Sequence, residues 1–179
     1  MIEQKKALRR QISTLKRQLS ETDRLKQTEA IFRQLEDSPF FETAKTLLLY
    51  WAMADEVPTQ AFINRWYKKK AIYLPVIDGQ DLKIVQYLGE DKLVAGAKYG
   101  IPEPNGPALI DESIIEIVVV PGVAFDAHNN RMGRGAGYYD RILKRLPSAL
   151  KIGLAFDFQM VEQLPVEPHD IAMDQIISG

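Results

Sequence analysis

The chain has 179 residues, 46% apolar and 26% charged, which is ordinary globular usage. That length can bury about 70% of the unfolded surface without staples, and the absence of cysteine excludes disulfides, thiolate metal sites and cysteine nucleophiles. Lys+Arg is 23 and Asp+Glu 24, a net charge of −1, which argues against a dedicated nucleic-acid binder.

Leu8, Ile12, Leu15 and Leu19 recur at helical spacing, so an amphipathic helix is expected over about residues 3–19. Ser20 with Asp23 three residues on reads as the cap of a second helix. That helix runs to about Asp37, with Leu25, Ile31, Phe32 and Leu35 inward and Pro39 just past its end. Thr46–Ala52 reads as a buried strand. Pro58 is placed to start a helix reaching Lys69. Ala71–Val76 and Leu82–Tyr87 read as strands around an Asp78-Gly79 turn. Residues 89–106 read mostly as loop, punctuated by glycine and proline. Ile114–Val120 is a buried strand, Gly137 to about Arg145 a helix ended by Pro147, and Ile152–Phe156 and Ile171–Ile177 two further strands. Strands alternate with helices, and the strongest strand is apolar throughout. This pattern favours one α/β domain over 1–179, its sheet covered on both faces. The longest apolar runs are far too short to cross a bilayer, and no apolar segment follows the charges of MIEQKKALRR. A cytoplasmic protein without membrane or nucleic-acid partners is expected, as a monomer or weak dimer.

The near-zero charge is an average over unlike parts. Residues 1–20 carry net +5 and residues 131–145 net +4, so the remainder carries −10. Each basic run alone reads as a solvated face; together they could meet around an anionic ligand. The second run belongs to the most informative stretch, VVVPGVAFDAHNNRMGRGAGYYDRIL over 118–143. A buried strand ends at Pro121-Gly122, a loop follows, and Gly133-Arg134-Gly135-Ala136-Gly137 leads into a helix. Ligands of open α/β sheets sit at strand carboxyl ends. Glycines admit a phosphate close to the backbone, and a helix N-terminus supplies free N–H donors. Arg131 and Arg134 offer guanidinium forks, and Asp140 could hold a hard divalent cation beside them. Neither the Walker spacing nor the G-x-G-x-x-G spacing is met.

PGVAFD followed by RMGRGAGYYDRIL resembles the signature of the 5-formyltetrahydrofolate cyclo-ligases. KKALRR, ADEVPT, YGIPEP, PVEPHD and MDQII fall in that family's order, so the resemblance covers nearly the whole chain. It implies a three-layer α/β/α sandwich with a mixed, mostly parallel, Rossmann-like sheet. It also implies the ATP- and Mg2+-dependent conversion of 5-formyltetrahydrofolate to 5,10-methenyltetrahydrofolate, with ADP and phosphate released. In that reaction the formyl oxygen attacks the γ-phosphate, and the 10-nitrogen then displaces phosphate from the resulting imidate phosphate.

By matching position, Lys5, Lys6 and Arg9 resemble the family's N-terminal ATP segment. Arg131, Met132, Gly133, Arg134, Gly135, Ala136, Gly137, Tyr138 and Tyr139 resemble its nucleotide loop, with Arg134 and Tyr138 at the chemistry. Arg9, Trp51, Glu56 and the stretch from Arg134 to Tyr138 would approach the folate, and Asp140 and Asp170 would hold Mg2+. Read from the residues alone, Lys5 and Arg9 fit a solvated helix face, Trp51 a core, Glu56 a loop acid, Asp170 a turn and Tyr138 a packed phenol. His128 and His169 fit surface loops. The pattern departs from the family at Ala136, where some relatives have a lysine that could contact phosphate and others glycine, at Asn129, where glycine is common, and at Pro58, which replaces an acid. Pro58 and Ala136 motivate an alternative, a non-catalytic folate- or nucleotide-binding module of the same fold.

Overall fold

The computed structural model describes residues 1–179. The first helix, α1 (Ile2–Lys16), buries Ile12, while Leu8 and Leu15 pack beside it. The second, α2 (Glu21–Glu36), starts where the sequence marks it: Ser20 Oγ accepts the Asp23 N–H at 3.1 Å. Ile31, Phe32 and Leu35 point inward as expected, but Leu25 is 56% exposed because the buried stripe of this helix runs only along its C-terminal half. Pro39 does not merely end α2. It occupies the first turn of a short α3 (Pro39–Thr43), where its missing N–H costs nothing.

A strand β1 (Thr46–Leu48) follows, shorter than expected, although Leu49 and Tyr50 stay buried beyond it. The next helix, α4 (Gln60–Trp66), begins two residues after Pro58. The Thr59 hydroxyl does not cap the helix: its oxygen accepts the Ala52 N–H at 3.1 Å while it donates to the Tyr50 carbonyl, and so it fastens the helix to the end of β1. Strands β2 (Ala71–Asp78) and β3 (Asp81–Gln86) form the expected hairpin, with Gly79 at φ +64° in the turn. The stretch read as loop contains two paired strands, β4 (Leu93–Val94) and β5 (Glu103–Pro104). The apolar strand β6 (Ile117–Val120) is buried throughout, and Glu112–Ile114 before it forms a 3-10 turn.

Residues 124–132, read as loop, are a hairpin, β7 (Ala124–Asp126) with β8 (Arg131–Met132). Asn129 takes the left-handed conformation in its turn at φ +63°, as an asparagine in place of glycine can. The chain then forms α5 (Tyr138–Arg145), β9 (Leu150–Ala155), β10 (Met160–Val161) and β11 (Gln175–Ser178).

The central sheet has the order β11-β9-β6-β1-β2-β3. Every neighbouring pair is parallel except β2 with β3 at the edge. Strand alternation sends Leu47, Leu49, Ile117 and Val119 to the face packed on α2, α3 and α4. Leu48, Val118 and Val120 go to the face packed on Ile142, Leu143 and Leu146. The result is the expected α/β/α sandwich with its mostly parallel sheet. A second sheet, β10-β7-β8, seats α1 through Ile12, Ala124, Met132 and Leu164. No helix is long and apolar enough to cross a membrane.

From β1 the chain moves by α4 to β2 on one side and later returns by β6 on the other. The carboxyl ends of β1 and β6 therefore flank a topological switch point, where such sheets leave a crevice.

Candidate active site

A cavity of about 680 Å³ opens at that crevice. Its walls come from the segment after β1, from Pro121-Gly122 after β6, from the glycine loop, from residues 99–103, from one face of α1 and from residues 167–170. Every site residue expected from the sequence lines it except Lys6, which is exposed and turned away. Lys5 and Lys6 are consecutive on a helix, so only one of them can share the inward stripe with Arg9.

The two basic segments meet. Arg9 Nε donates to the Gly133 carbonyl at 3.1 Å, so α1 lies against the glycine loop. Gly135 at φ +109° and Gly137 at φ +73° need glycine for their backbone alone. A Cβ on Gly135 would also lie 3.4 Å from the Arg9 guanidinium. Ala136 sits between them and lines the cavity, as does Met132, whose side chain is packed with Ile12 in the core.

The two arginines of the loop divide their work. Arg131 is buried: its Nη1 donates to the Pro121 carbonyl at 2.9 Å, its Nη2 lies 3.6 Å from Asp140 Oδ1, and its guanidinium sits over the Tyr139 ring at 5.7 Å. It braces the end of β6 against the start of α5, and only its Nε is without a partner. Arg134 is the exposed fork, with 47% of its side chain open to solvent, and it reaches Asp55 at 2.6 Å and Glu56 at 3.4 Å. Asp55 also receives Lys16 at 2.8 Å. Burial pushes the Asp55 carboxyl up, but the bonds from Arg134 and Lys16 outweigh burial and hold it at about 2.

Glu56 is oriented by the Met53 N–H, which donates to Oε2 at 2.8 Å, leaving Oε1 toward Arg134. Trp51 is half-buried against Tyr87, with ring centres 5.8 Å apart, and the rest of it faces the cavity. Tyr138 places its hydroxyl 3.4 Å from Lys98 Nζ, under the Arg141 guanidinium at 5.2 Å from its ring. Tyr139 is half-buried, and the desolvation of its hydroxyl raises the phenol above the ordinary range.

Asp140 Oδ1 accepts the Ile171 N–H at 3.4 Å, which ties the start of α5 to the segment carrying Asp170. Lys5 Nζ sits between Glu167 at 2.7 Å and Asp170 at 2.8 Å. Burial disfavours the Asp170 carboxylate, yet Lys5 and the Glu167 N–H together depress its pKa. His169 is exposed, as read from the sequence, and it stands at the cavity with its Nε2 3.5 Å from Asp170. Ligand atoms of Glu167, His169 and Asp170 lie within 4.8 Å of one another. Sequence reasoning missed Asp55, Glu103 and Glu167. All three stand inside quoted motifs (ADEVPT, YGIPEP and PVEPHD), which were the available signal.

A crevice at the switch point of a mostly parallel sheet, with a glycine loop entering a helix beside it, defines an α/β enzyme of the open-sheet class. The model of the 5-formyltetrahydrofolate cyclo-ligase family matches residues 1–179, and the chain belongs to that family. The 5-formyltetrahydrofolate cyclo-ligase of Haemophilus influenzae is 35% identical over 144 residues, 76% of each chain. The mouse 5-formyltetrahydrofolate cyclo-ligase is 28% identical over 187 residues, covering 97% of this chain and 92% of the relative. Among solved structures, the 5,10-methenyltetrahydrofolate synthetase of Aquifex aeolicus superposes with a TM-score of 0.87 at 33% identity, covering 97% of this chain and 89% of the other. That of Mycoplasma pneumoniae gives 0.73 at 26% identity and 97% coverage of both.

Proposed function

We propose that the cleft binds ATP and 5-formyltetrahydrofolate together and closes the folate to 5,10-methenyltetrahydrofolate, with residues 1–179 acting as one catalytic domain in the cytoplasm. The observation that carries this reading is the reach of Arg134. It stands on the glycine loop and extends to Glu56, so the cation suited to a transferring phosphoryl group faces the carboxylate suited to a pterin. The formyl oxygen attacks the γ-phosphate, turning a poor amide-like leaving group into phosphate. The 10-nitrogen then attacks the activated carbon. Arg9, Arg134 and the N–H groups at the start of α5 stabilise charge on the phosphates, and the cleft holds the reacting atoms together.

Asp140 and Asp170 both line the cavity, and carboxylate oxygens suit Mg2+. The fit is supported by the ammonium of Lys5, a cation already bound by Asp170 and Glu167. When bound, Mg2+ would neutralise charge on the β- and γ-phosphates. Lys5 then competes with the metal until ATP draws it away. Accordingly, Lys5→Met is expected to raise Mn2+ affinity of the nucleotide-free protein about tenfold, roughly the 1.4 kcal/mol equivalent, while weakening ATP binding. Mn2+ titration followed by electron paramagnetic resonance reads the first effect, and an unchanged Mn2+ affinity would remove Asp170 as a metal carboxylate.

The direct test is turnover. Purified protein with Mg2+ is expected to consume ATP only when 5-formyltetrahydrofolate is present, with methenyl product appearing by its near-ultraviolet absorbance. Binding of either ligand without turnover would instead support the non-catalytic module.

A further inference from the structure

Five carboxylates line the cleft: Glu56, Glu103, Asp140, Glu167 and Asp170. Four are engaged by the protein. Glu56 holds the Met53 N–H and Arg134. Asp140 faces Arg131 and accepts from Ile171. Glu167 and Asp170 share Lys5. Glu103 differs: it is 8% exposed, its side chain has neither a hydrogen bond nor an ion pair, and what remains open of it borders the cavity.

Its setting is rigid. Pro102 and Pro104 fix the backbone on either side, and the strand pairs with Val94. Gly96 closes over the side chain so tightly that a Cβ there would lie 3.0 Å from Glu103 Oε1 and 2.1 Å from the Ile101 carbonyl. A carboxylate fixed this way, with no donor from the protein and its open side on the cavity, keeps its lone pairs for a group that a bound ligand brings.

The reaction proposed above, on which this inference rests, brings such a group. The 10-nitrogen attacks as a neutral N–H amine, and the product is an amidinium cation. We propose that Glu103 is the general base that takes the proton of the 10-nitrogen as the ring closes. The nitrogen–carbon bond forms at the activated formyl carbon, and the N–H bond breaks with its proton passing to Glu103. The carbon–oxygen bond to phosphate then breaks, and phosphate leaves with the electron pair. The positive charge spreads over N5, the bridging carbon and N10. Glu103 returns the proton to water as the product departs.

The proposal separates ring closure from phosphoryl transfer. Glu103→Gln is isosteric and removes a buried charge, so it is expected to fold; circular dichroism and a thermal melt check this. Its kcat for methenyl formation is expected to fall about a hundredfold, the usual scale for loss of a general base. The KM values for ATP and 5-formyltetrahydrofolate are expected to stay within about twofold, the mark of an interaction made only in the transition state. ADP formation in a single turnover is expected to persist. Glu103→Ala is expected to regain methenyl formation when formate is added, which a structural role would not produce. If Glu103→Gln does not fold, Glu103→Asp keeps a carboxylate and is expected to retain activity between wild type and the alanine variant; a formate-insensitive alanine variant would then overturn the assignment. Wild-type kcat in Glu103→Gln, a rise in folate KM with kcat unchanged, or equal losses of ADP and methenyl product would each overturn it too. A wild-type protein that makes no methenyl product defeats the reading of the whole site, whereas a wild type and Glu103→Gln that turn over equally defeat only this inference.

Discussion

Replacing Arg134 with alanine is expected to lower kcat/KM about a thousandfold while leaving the fold intact. The size follows from the role. An arginine that meets developing charge on a transferring phosphoryl group, once the bound substrates have displaced water from around it, is worth roughly 10³-fold or more. The fold should tolerate the loss because Arg134 is half-exposed and its partner Asp55 keeps Lys16 at 2.8 Å. An ion pair so open to water is worth at most about 1 kcal/mol. Arg134→Lys should recover only part of the activity, since a single ammonium cannot present the planar fork. Steady-state kinetics with both substrates, beside a thermal melt, separates the two effects. Alanine turnover within tenfold of wild type would take Arg134 out of the chemistry and leave it as a tether between the glycine loop and Asp55.

The layers of this protein could be read from sequence because each rests on local pattern. The all-apolar run of β6 signals a strand buried on both faces, and Ser20-x-x-Asp23 marks the start of α2. Two-residue strands such as β4, β5, β8 and β10 carry no readable period, so residues 89–106 and 124–132 looked like loops. Their order comes from partners distant in the chain. Met160 pairs with Phe125, and the Leu164 N–H donates to Asp126. Leu25 shows the converse limit: it is apolar and near the stripe, but nothing packs over that turn of α2.

The site divides the same way. The glycine loop is contiguous, so its composition announces it. The convergence of Arg9 on Gly133 spans 124 residues of chain and was legible only as two basic segments and a family resemblance. No sequence feature separates the buried brace Arg131 from the exposed fork Arg134, since both are arginines, only three residues apart. The difference is made by Pro121 and Asp140, which close on Arg131 alone.

The hairpin that delivers this loop depends on one side chain, and Asp126→Ala is expected to cost about 3–4 kcal/mol, a large share of a typical domain's stability. Asp126 is fully buried. Its Oδ1 accepts the backbone N–H groups of His128 and Asn130, each at 3.0 Å. Its Oδ2 accepts Asn130 Nδ2 at 3.0 Å and the Leu164 N–H at 2.9 Å. Alanine leaves these donors unpaired, the Leu164 N–H in the interior among them. Asparagine keeps one acceptor oxygen but turns an amide NH2 toward two donors, so about 2 kcal/mol is expected. Burial alone would raise the Asp126 carboxyl, but the four bonds outweigh it and hold the pKa below the ordinary carboxylate range. A folded pKa lower than the unfolded value of about 3.9 means a contribution fully present above that pH. The contribution is lost as pH falls through the folded pKa. Denaturant unfolding between pH 7 and pH 2 should therefore show a steeper acid-side loss in wild type than in Asp126→Asn. An alanine variant within 1 kcal/mol of wild type at pH 7 would mean that β7 and β8 hold without their carboxylate. The expected variant would also lose activity at temperatures below its own melt, because Arg131 and Met132 form one strand of this hairpin and run directly into Gly133 and Arg134.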